Sequence, residues 1–583
     1  MKALRYLSIL CMLLVVTSFN SCKDDDEKIS TGVTGQSWQE EKPLEIIPGK
    51  ELSVSFTAND DWTATTNSKW CSILDASGKA GQNTLRLMAV TPTSNQRTAF
   101  ITIRVKGYDS TSFQVTLNET GGNTSEDTQI NIQVDQYLRD MYLWNDEYKT
   151  LKLDFTKGYE DFLKDALESM TTNTLDKKPY TDSEGKQKYS LFSFIEKKNP
   201  ISSSRSTKLV QKELEYSFGI TGISGVRTGS DTYTYCIKGV FPNSPAANAG
   251  LKRGTIITQI NGKKLSTYEI ANQYLIELLL PSSPSTLQIT DSDNKQMSLT
   301  SKAIYVNPVI FKQVKEINGR RIGYLVYNGF DASFDEELFE AFKYFKSQNI
   351  TDFILDLRYN MGGHTMSANL ISSCIAGSSA ANKVFSSLRY NSTRMKALND
   401  KRKDEKFLYS NYPNLGTSLA AGDLGLSHIY CLTGYDTASS SELVINSLRG
   451  IDVEVTLIGE KTTGKNVGME PAEITVNNNI YRLHPITFQS YNAKGFGDYE
   501  AGFEPQKAID ETDPFEMGDV FYRHRDYGSD GEPLYAEAVK MITGIDIMPK
   551  TRSITGDFIK GKVQKMSAPT RRGFGGMIEI PLE

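Results

Sequence analysis

Between residues 36 and 119, apolar residues recur at every second position: Leu52, Val54 and Phe56, then Leu85 and Leu87, then Ile101, Ile103 and Val105, then Phe113, Val115 and Leu117. Side chains of a strand alternate between its two faces, so this period predicts short strands that each bury one face. They would close as a small antiparallel β-sandwich. Trp62 and Trp70 are expected in its core, the alternative being an open stacking platform for sugar rings. After a Gly/Thr/Asn/Glu-rich linker the period changes to that of helices. Ile130, Val134, Leu138 and Met141 share one face, and Tyr159, Phe162, Leu163, Ala166, Leu167 and Met170 share another. This predicts a small helical region over 129–210, with 177–188 read as a polar loop. From 304 to 545 apolar strands alternate with helices, the strands falling at 322–326, 353–357, 429–432 and 453–458. Such alternation predicts an α/β layer with its chemistry on loops at strand ends.

Composition changes this picture little. The 583 residues exceed what one core holds; 39% are hydrophobic and 23% charged, and the net charge is −5. Mild acidity argues against nucleic acid as a partner, because phosphate binding needs a basic face. Lys2 and Arg5 precede an apolar run over 7–16 that is too short to span a bilayer, so 1–21 reads as a targeting signal. Phe19-Asn20-Ser21-Cys22 resembles a bacterial lipoprotein signal, although Phe19 and Asn20 depart from its commonest form. The resemblance implies a lipid at Cys22 that holds the chain to a membrane. The acidic run that follows, part of a tether over 22–35, is similar to the signal that sends Bacteroidetes lipoproteins to the cell surface. An outer-membrane lipoprotein of the bacterial cell envelope, periplasmic or surface-exposed, is the implied location. Cys71, Cys236, Cys374 and Cys431 are widely spaced and read as small buried hydrophobes; no metal or cofactor is expected.

The stretch Thr437-Ala438-Ser439-Ser440-Ser441-Glu442 stands between an expected strand and an expected helix. One reading is a serine on a sharp turn, its hydroxyl exposed and helix amides near enough to hold developing negative charge. The other is a polar helix start supported by Ser441 and Glu442. Lys465 follows the next strand, so the first reading gives a Ser–Lys hydrolase. Gly459 to Lys465 has phosphate-loop spacing, but Asn466 stands where a hydroxyl should hold magnesium. There is no HExxH and no G-x-S-x-G. A Ser–His–Asp triad through His364, His428 or His484 stays open, because such residues need only meet in space.

Three resemblances organise these motifs. Asp61-Trp62-Thr63-Ala64, Trp70-Cys71-Ser72-Ile73, the Gly78 turn and Gln96-Arg97-Thr98-Ala99 resemble a BACON domain over 36–119. That implies that the sandwich is immunoglobulin-like, and that it binds carbohydrate or mucin or serves as a spacer. Ser244-Pro245-Ala246-Ala247-Asn248-Ala249-Gly250-Leu251 and Ile256-Ile257-Thr258-Gln259-Ile260-Asn261-Gly262 resemble a PDZ domain over 214–303. Such domains add a peptide as a strand beside a helix, here expected at 267–280, with loop amides at Phe218, Gly219 and Ile220 capturing its carboxylate. The alternative is a PDZ that only gates or braces the active site.

With residues 356–363, the serine turn, 459–465 and Gly502-Phe503-Glu504-Pro505, the chain over 130–511 resembles the S41 family of tail-specific, or C-terminal-processing, serine peptidases. The resemblance implies a multidomain protein with a ClpP/crotonase-like α/β catalytic domain and protein or peptide substrates. It makes Ser439 the nucleophile, Lys465 the base, and Gly362, Gly363 and Ser440 the oxyanion donors, with Ser441 capping the helix. The serine-to-lysine spacing is one residue longer than expected, which the loop over 448–453 accommodates.

One position departs from the family. Many members carry a glutamine four residues after the lysine, where this chain has Met469. Glu470, Gln489 or a backbone carbonyl would have to replace it, or the scaffold is an inactive one that binds peptides or glycans. A free lysine titrates near ~10.4 and needs burial worth roughly 4 kcal/mol to serve as a base at neutral pH. The expectation is an exported, lipid-anchored serine endopeptidase. The extension over 546–583, basic in places and apolar at its end, reads as a flexible tail or as a strand for a partner.

Overall fold

The computed structural model describes residues 31–549, apart from 40–41, 69, 90–96, 119–124, 182–185, 199–211, 213, 228–232, 266–273, 276, 280, 282, 400–402 and 512–523, together with 577–578. Cys22 and the targeting signal lie outside the described residues. The chain forms two compact units, Met1–Thr124 and Ser125–Glu583.

The first unit is a two-sheet sandwich. One sheet runs Val33–Thr34, Glu51–Ala58, Gly81–Ala89, Cys71–Ile73; the other runs Leu44–Ile46, Thr111–Leu117, Thr98–Val105, Trp62–Thr66, Ser77–Gly78. Val54, Phe56, Leu85, Leu87, Ile101, Ile103, Val105, Phe113 and Val115 are all buried, as the alternation requires. Trp62 and Trp70 are each only 3% exposed, so both are core residues and neither offers an open face to a sugar. Trp38 joins them and stacks on Phe113 with ring centroids 4.6 Å apart. The sandwich begins within the stretch read as a tether, because Val33 and Thr34 pair with Ala58 and Thr57.

The second unit opens with helices Glu126–Met141, Asn145–Tyr148 and Tyr159–Ser169, which bury Ile130, Val134, Leu138, Phe162, Leu163, Ala166 and Leu167. The expected polar loop is instead a hairpin: Lys177–Thr181 pairs antiparallel with Gln187–Leu191. Lys188, Tyr189 and Ser190 on it are exposed, and three successive exposed residues leave no alternation to read there. Phe194–Lys197 then pairs with Asn479–His484, tying this region to the later part of the chain. A separate sheet runs Ile220–Arg227, Tyr233–Val240, Ile256–Ile260, Thr286–Asp291, Gln296–Thr300 around a core of Phe218, Ile237, Leu251, Ile260 and Leu299. Much of the helix expected beside it, at 267–280, lies outside the described residues; Leu275, Leu278 and Leu279 are buried in the same core.

The layer that positions the site is a six-stranded sheet. Arg320–Tyr327, Asp352–Asp356, His428–Thr433, Glu454–Gly459 and Lys507–Ala508 are parallel, and Val309–Ile317 is antiparallel at one edge. Its central strands are buried on both faces, which explains their continuous apolar runs. Helices Asp335–Ser347, Thr365–Ala376 and Ser440–Gly450 cover one face, setting Phe342, Phe345, Ile371, Val444 and Leu448 in a core with Phe353, Leu355, Cys431 and Leu457. The opposite face, formed by Ile322, Tyr324, Val326, Ile354, Leu432 and Ile458, lies under the unforeseen helix Pro533–Thr543. A second sheet runs Gly363–His364, Met577–Ile578, Val467–Met469, Ile486–Tyr491, Val384–Tyr390, Lys403–Lys406. Its second strand comes from the extension read as a tail or a partner's strand, and it pairs within its own chain. Among the described residues, no helix is long and apolar enough to cross a membrane.

Candidate active site

Three loops leave the carboxyl ends of neighbouring parallel strands: 357–362, 434–439 and 460–466. Ser439 ends the second with φ +60° and ψ −112°, in a left-handed region that a side chain rarely adopts. Such strain costs of order 1–3 kcal/mol and persists only where surrounding bonds fix it. Here they do. Thr437 Oγ1 donates to Leu357 O at 2.8 Å and accepts from Gly434 N at 2.9 Å. Ala438 N donates to Asn360 O at 3.1 Å, and Ser440 Oγ to Gly363 O at 2.6 Å. Ser441 Oγ donates to Asn360 O at 2.8 Å, so it bolts the turn to the neighbouring loop and is not the helix cap. Ser439 itself takes the N-cap position. Its Oγ is buried and has no hydrogen-bond partner among the described residues.

Glu442 joins the serine turn to the lysine loop. Oε2 accepts the amides of Ser439 at 2.9 Å and Lys465 at 2.8 Å; Oε1 accepts the Gly464 amide and Thr462 Oγ1, each at 2.6 Å. Burial pushes this carboxyl above its usual range against the pull of these donors. The arrangement also disposes of the phosphate-loop resemblance, because a carboxylate already fills the amide nest.

Lys465 is 3% exposed, with Nζ 4.5 Å from the centre of the Phe192 ring. Burial lowers its ammonium to about 7, while Asp176 and Glu442 oppose the shift and Lys178 adds to it. Asp176 is fully buried, accepting Ser193 N at 2.7 Å, Ser193 Oγ at 2.6 Å and Tyr142 OH at 2.7 Å. Met469 is buried in the strand after the lysine. Two of the three expected replacements for the family glutamine have partners of their own: Glu470 pairs with Arg394, and Gln489 accepts from Tyr491 OH at 2.8 Å. The lysine's surroundings therefore include Phe192 and Asp176, which come from the N-terminal helical region and were not foreseen.

Of the expected oxyanion donors, Gly362 N is bonded to Asn360 Oδ1 at 2.9 Å. Gly363 has φ +134°, and a Cβ there would lie 2.2 Å from Phe330 O, so only glycine fits. Ser440 opens the helix, where amides have no carbonyl one turn back. The histidines have other partners. His364 Nδ1 accepts from Ala332 N at 3.1 Å, His428 Nε2 lies 2.9 Å from Thr456 Oγ1, and His484 Nε2 lies 3.1 Å from Glu196 Oε1.

In the PDZ-like sheet, Gly219 has φ +89°, and its amide donates to Ser217 Oγ at 3.0 Å. Phe218 O accepts from Ala246 N at 2.9 Å, and Ile220 begins the strand that ends the sheet order. This domain is coupled to the six-stranded layer through buried charge. Arg358 donates to Asp356 Oδ2 at 2.7 Å, Glu532 Oε1 at 2.6 Å and Glu511 Oε2 at 2.9 Å. Glu511 Oε2 also accepts Arg253 Nη2 at 2.9 Å. Burial raises the Glu511 carboxyl, but His524, Arg358 and Arg253 outweigh it and hold the group well below its usual range.

Comparison with known proteins relates these elements to known families. Residues 321–506 match the model of peptidase family S41, 129–194 the peptidase S41 N-terminal domain, 237–279 a PDZ domain and 44–120 the viral BACON domain. A carboxy-terminal processing protease (CtpB) of Bacillus subtilis (strain 168) is 24% identical over 54% of this chain and 60% of its own length. A carboxyl-terminal-processing protease of Picosynechococcus sp. (strain ATCC 27264 / PCC 7002 / PR-6) is 25% identical over 39% of this chain and 49% of its own. The chain thus spans about half to three-fifths of the length of these curated relatives. A crystal structure from Bacteroides fragilis NCTC 9343, assigned to the S41 proteases, superposes with TM-score 0.53 at 26% identity, covering 71% of this chain and 97% of that one.

Proposed function

We propose that this chain, whose residues 321–506 form a family S41 peptidase domain carried with an S41 N-terminal region, a PDZ domain and a BACON-type sandwich, is an exported serine endopeptidase working through Ser439 and Lys465. The observation that carries the proposal is the shared carboxylate: Glu442 holds the backbones of both residues, one bearing an unpartnered hydroxyl and the other a depressed amine.

Neutral Lys465 takes the Ser439 proton as Oγ bonds to the substrate carbonyl carbon. The amides of Gly363 and Ser440 would hold the resulting oxyanion. As the C–N bond breaks, the Lys465 ammonium returns its proton to the leaving amine. Water then attacks the acyl-enzyme, giving up one proton to Lys465, and the ammonium reprotonates Ser439 Oγ as its bond to the acyl carbon breaks, releasing a carboxylic acid that ionises in solvent.

The PDZ domain would take unstructured protein C-termini along the free edge of Ile220–Arg227, with Phe218, Gly219 and Ile220 forming the carboxylate loop. A lipid at Cys22 would hold the protein in the cell envelope. Carbohydrate or mucin is a proposed ligand for the sandwich, through its surface and not its buried tryptophans.

Fluorophosphonate labelling of wild type against Ser439→Ala and Lys465→Ala tests the catalytic reading, alongside degradation of casein and of C-terminally tagged proteins. Label on the wild type alone is the expected result. No label and no degradation would leave an inactive binding scaffold, the reading that Met469 favours.

A further inference from the structure

The strand Met577–Ile578 lies between two edges that both belong to the catalytic centre. On one side it pairs in parallel with Gly363–His364, matching Gly363 to Met577 and His364 to Ile578. On the other it pairs in parallel with Val467–Met469, matching Gly468 to Met577 and Met469 to Ile578. The first edge carries the Gly363 carbonyl that accepts Ser440 Oγ, and the second begins two residues beyond Lys465. Without the tail these edges face one another unjoined, since Met577–Ile578 is the link between them in the sheet order.

A slot with an unpaired edge on each side takes any extended peptide through its backbone, because donors and acceptors on both flanks match a strand whatever its side chains. Ser439 has no exposed surface, so a substrate reaches it only once a covering segment moves.

We infer that Met577–Ile578 occupy in cis the slot through which an extended substrate passes Ser439, so that this strand and substrate compete. The inference rests on the proposed peptidase reading and adds the identity of an intramolecular occupant. A tethered segment sits at an effective concentration in the millimolar range, so a tail binding with a dissociation constant of ~0.1 mM would hold back activity about tenfold.

The test uses the full chain carrying Met577→Pro with Ile578→Pro. Proline has no amide hydrogen and is excluded from the interior of a sheet, so the tail is released while the rest of the sequence stays intact. The expected result is fluorophosphonate labelling of Ser439 and hydrolysis of an extended fluorogenic peptide several-fold to about tenfold faster than wild type, with KM lowered. A synthetic peptide of residues 573–583 should inhibit the proline variant competitively. Equal labelling of the two proteins overturns the tail inference and leaves the peptidase reading standing. If neither protein is labelled, the peptidase reading fails instead, and fluorescence anisotropy of the same peptide still reads the slot. Binding to the proline variant and not to wild type supports occupancy by the tail; equal binding, or none, overturns it.

Discussion

Lys465 gives its backbone amide to Glu442 Oε2, the same oxygen that receives the amide of Ser439. One carboxylate therefore fixes the distance between the Ser439 turn and the Lys465 loop, independently of any contact between the two side chains.

Replacing that carboxylate should separate the loops. In Glu442→Gln one acceptor oxygen becomes an NH2 that faces amide donors, leaving buried groups unsatisfied at about 1–3 kcal/mol each. Urea unfolding is expected to show a loss of roughly 2–4 kcal/mol, and labelling of Ser439 to fall at least about tenfold.

The pH profile follows from the lysine. With its ammonium lowered to about 7, the reactive neutral amine is scarce at pH 6 and predominant by pH 9. Labelling rate should rise across that range with a midpoint near 7. Asp176 opposes the shift, so Asp176→Asn removes a charge that favours the ammonium and should move the midpoint downward. An unchanged midpoint in that variant would remove Asp176 from the lysine's electrostatics.

The same group burdens folding. The amine titrates near 10.5 when exposed and near 7 when folded, so between these values the unfolded chain binds more protons, and the burial penalty fades as pH rises through them. Lys465→Met should therefore be more stable than wild type by about 1–3 kcal/mol at pH 7, with the gain shrinking as pH rises toward 10. Thermal unfolding at several pH values measures it.

Arg358 is 2% exposed among Asp356, Glu511 and Glu532. Arg358→Met strands these carboxylates and should cost about 3–5 kcal/mol. Arg358→Lys should rescue only part of it, because one ammonium cannot reproduce the guanidinium fork.

What could be read in the sequence was whatever repeats or is local. Alternation gave the sandwich, apolar runs gave the doubly buried strands, and the spacing of serine, glutamate and lysine gave the two loops that Glu442 joins. Asp176 and Phe192 escaped because their place beside Lys465 depends on how a distant helical region packs. The hairpin Lys177–Thr181 with Gln187–Leu191 escaped because its residues are mostly polar and Lys188, Tyr189 and Ser190 are exposed in succession. Ser441 was misassigned because a hydroxyl at a helix start and one reaching a neighbouring loop look alike in sequence; only its 2.8 Å bond to Asn360 O separates them. Helix Pro533–Thr543 did carry a signal, since Leu534, Tyr535, Ala538 and Val539 fall at helical spacing under a proline start.

That helix also sets where the chain can be divided. The family match ends at residue 506, yet Ile322, Tyr324, Val326, Ile354, Leu432 and Ile458 are covered by residues beyond 532. A fragment cut at the match would present a broad oily sheet face to water and to its neighbours. On the ribosome the same face stays bare until the helix emerges, so for that interval the nascent chain depends on whatever shields exposed hydrophobic surface in the cell.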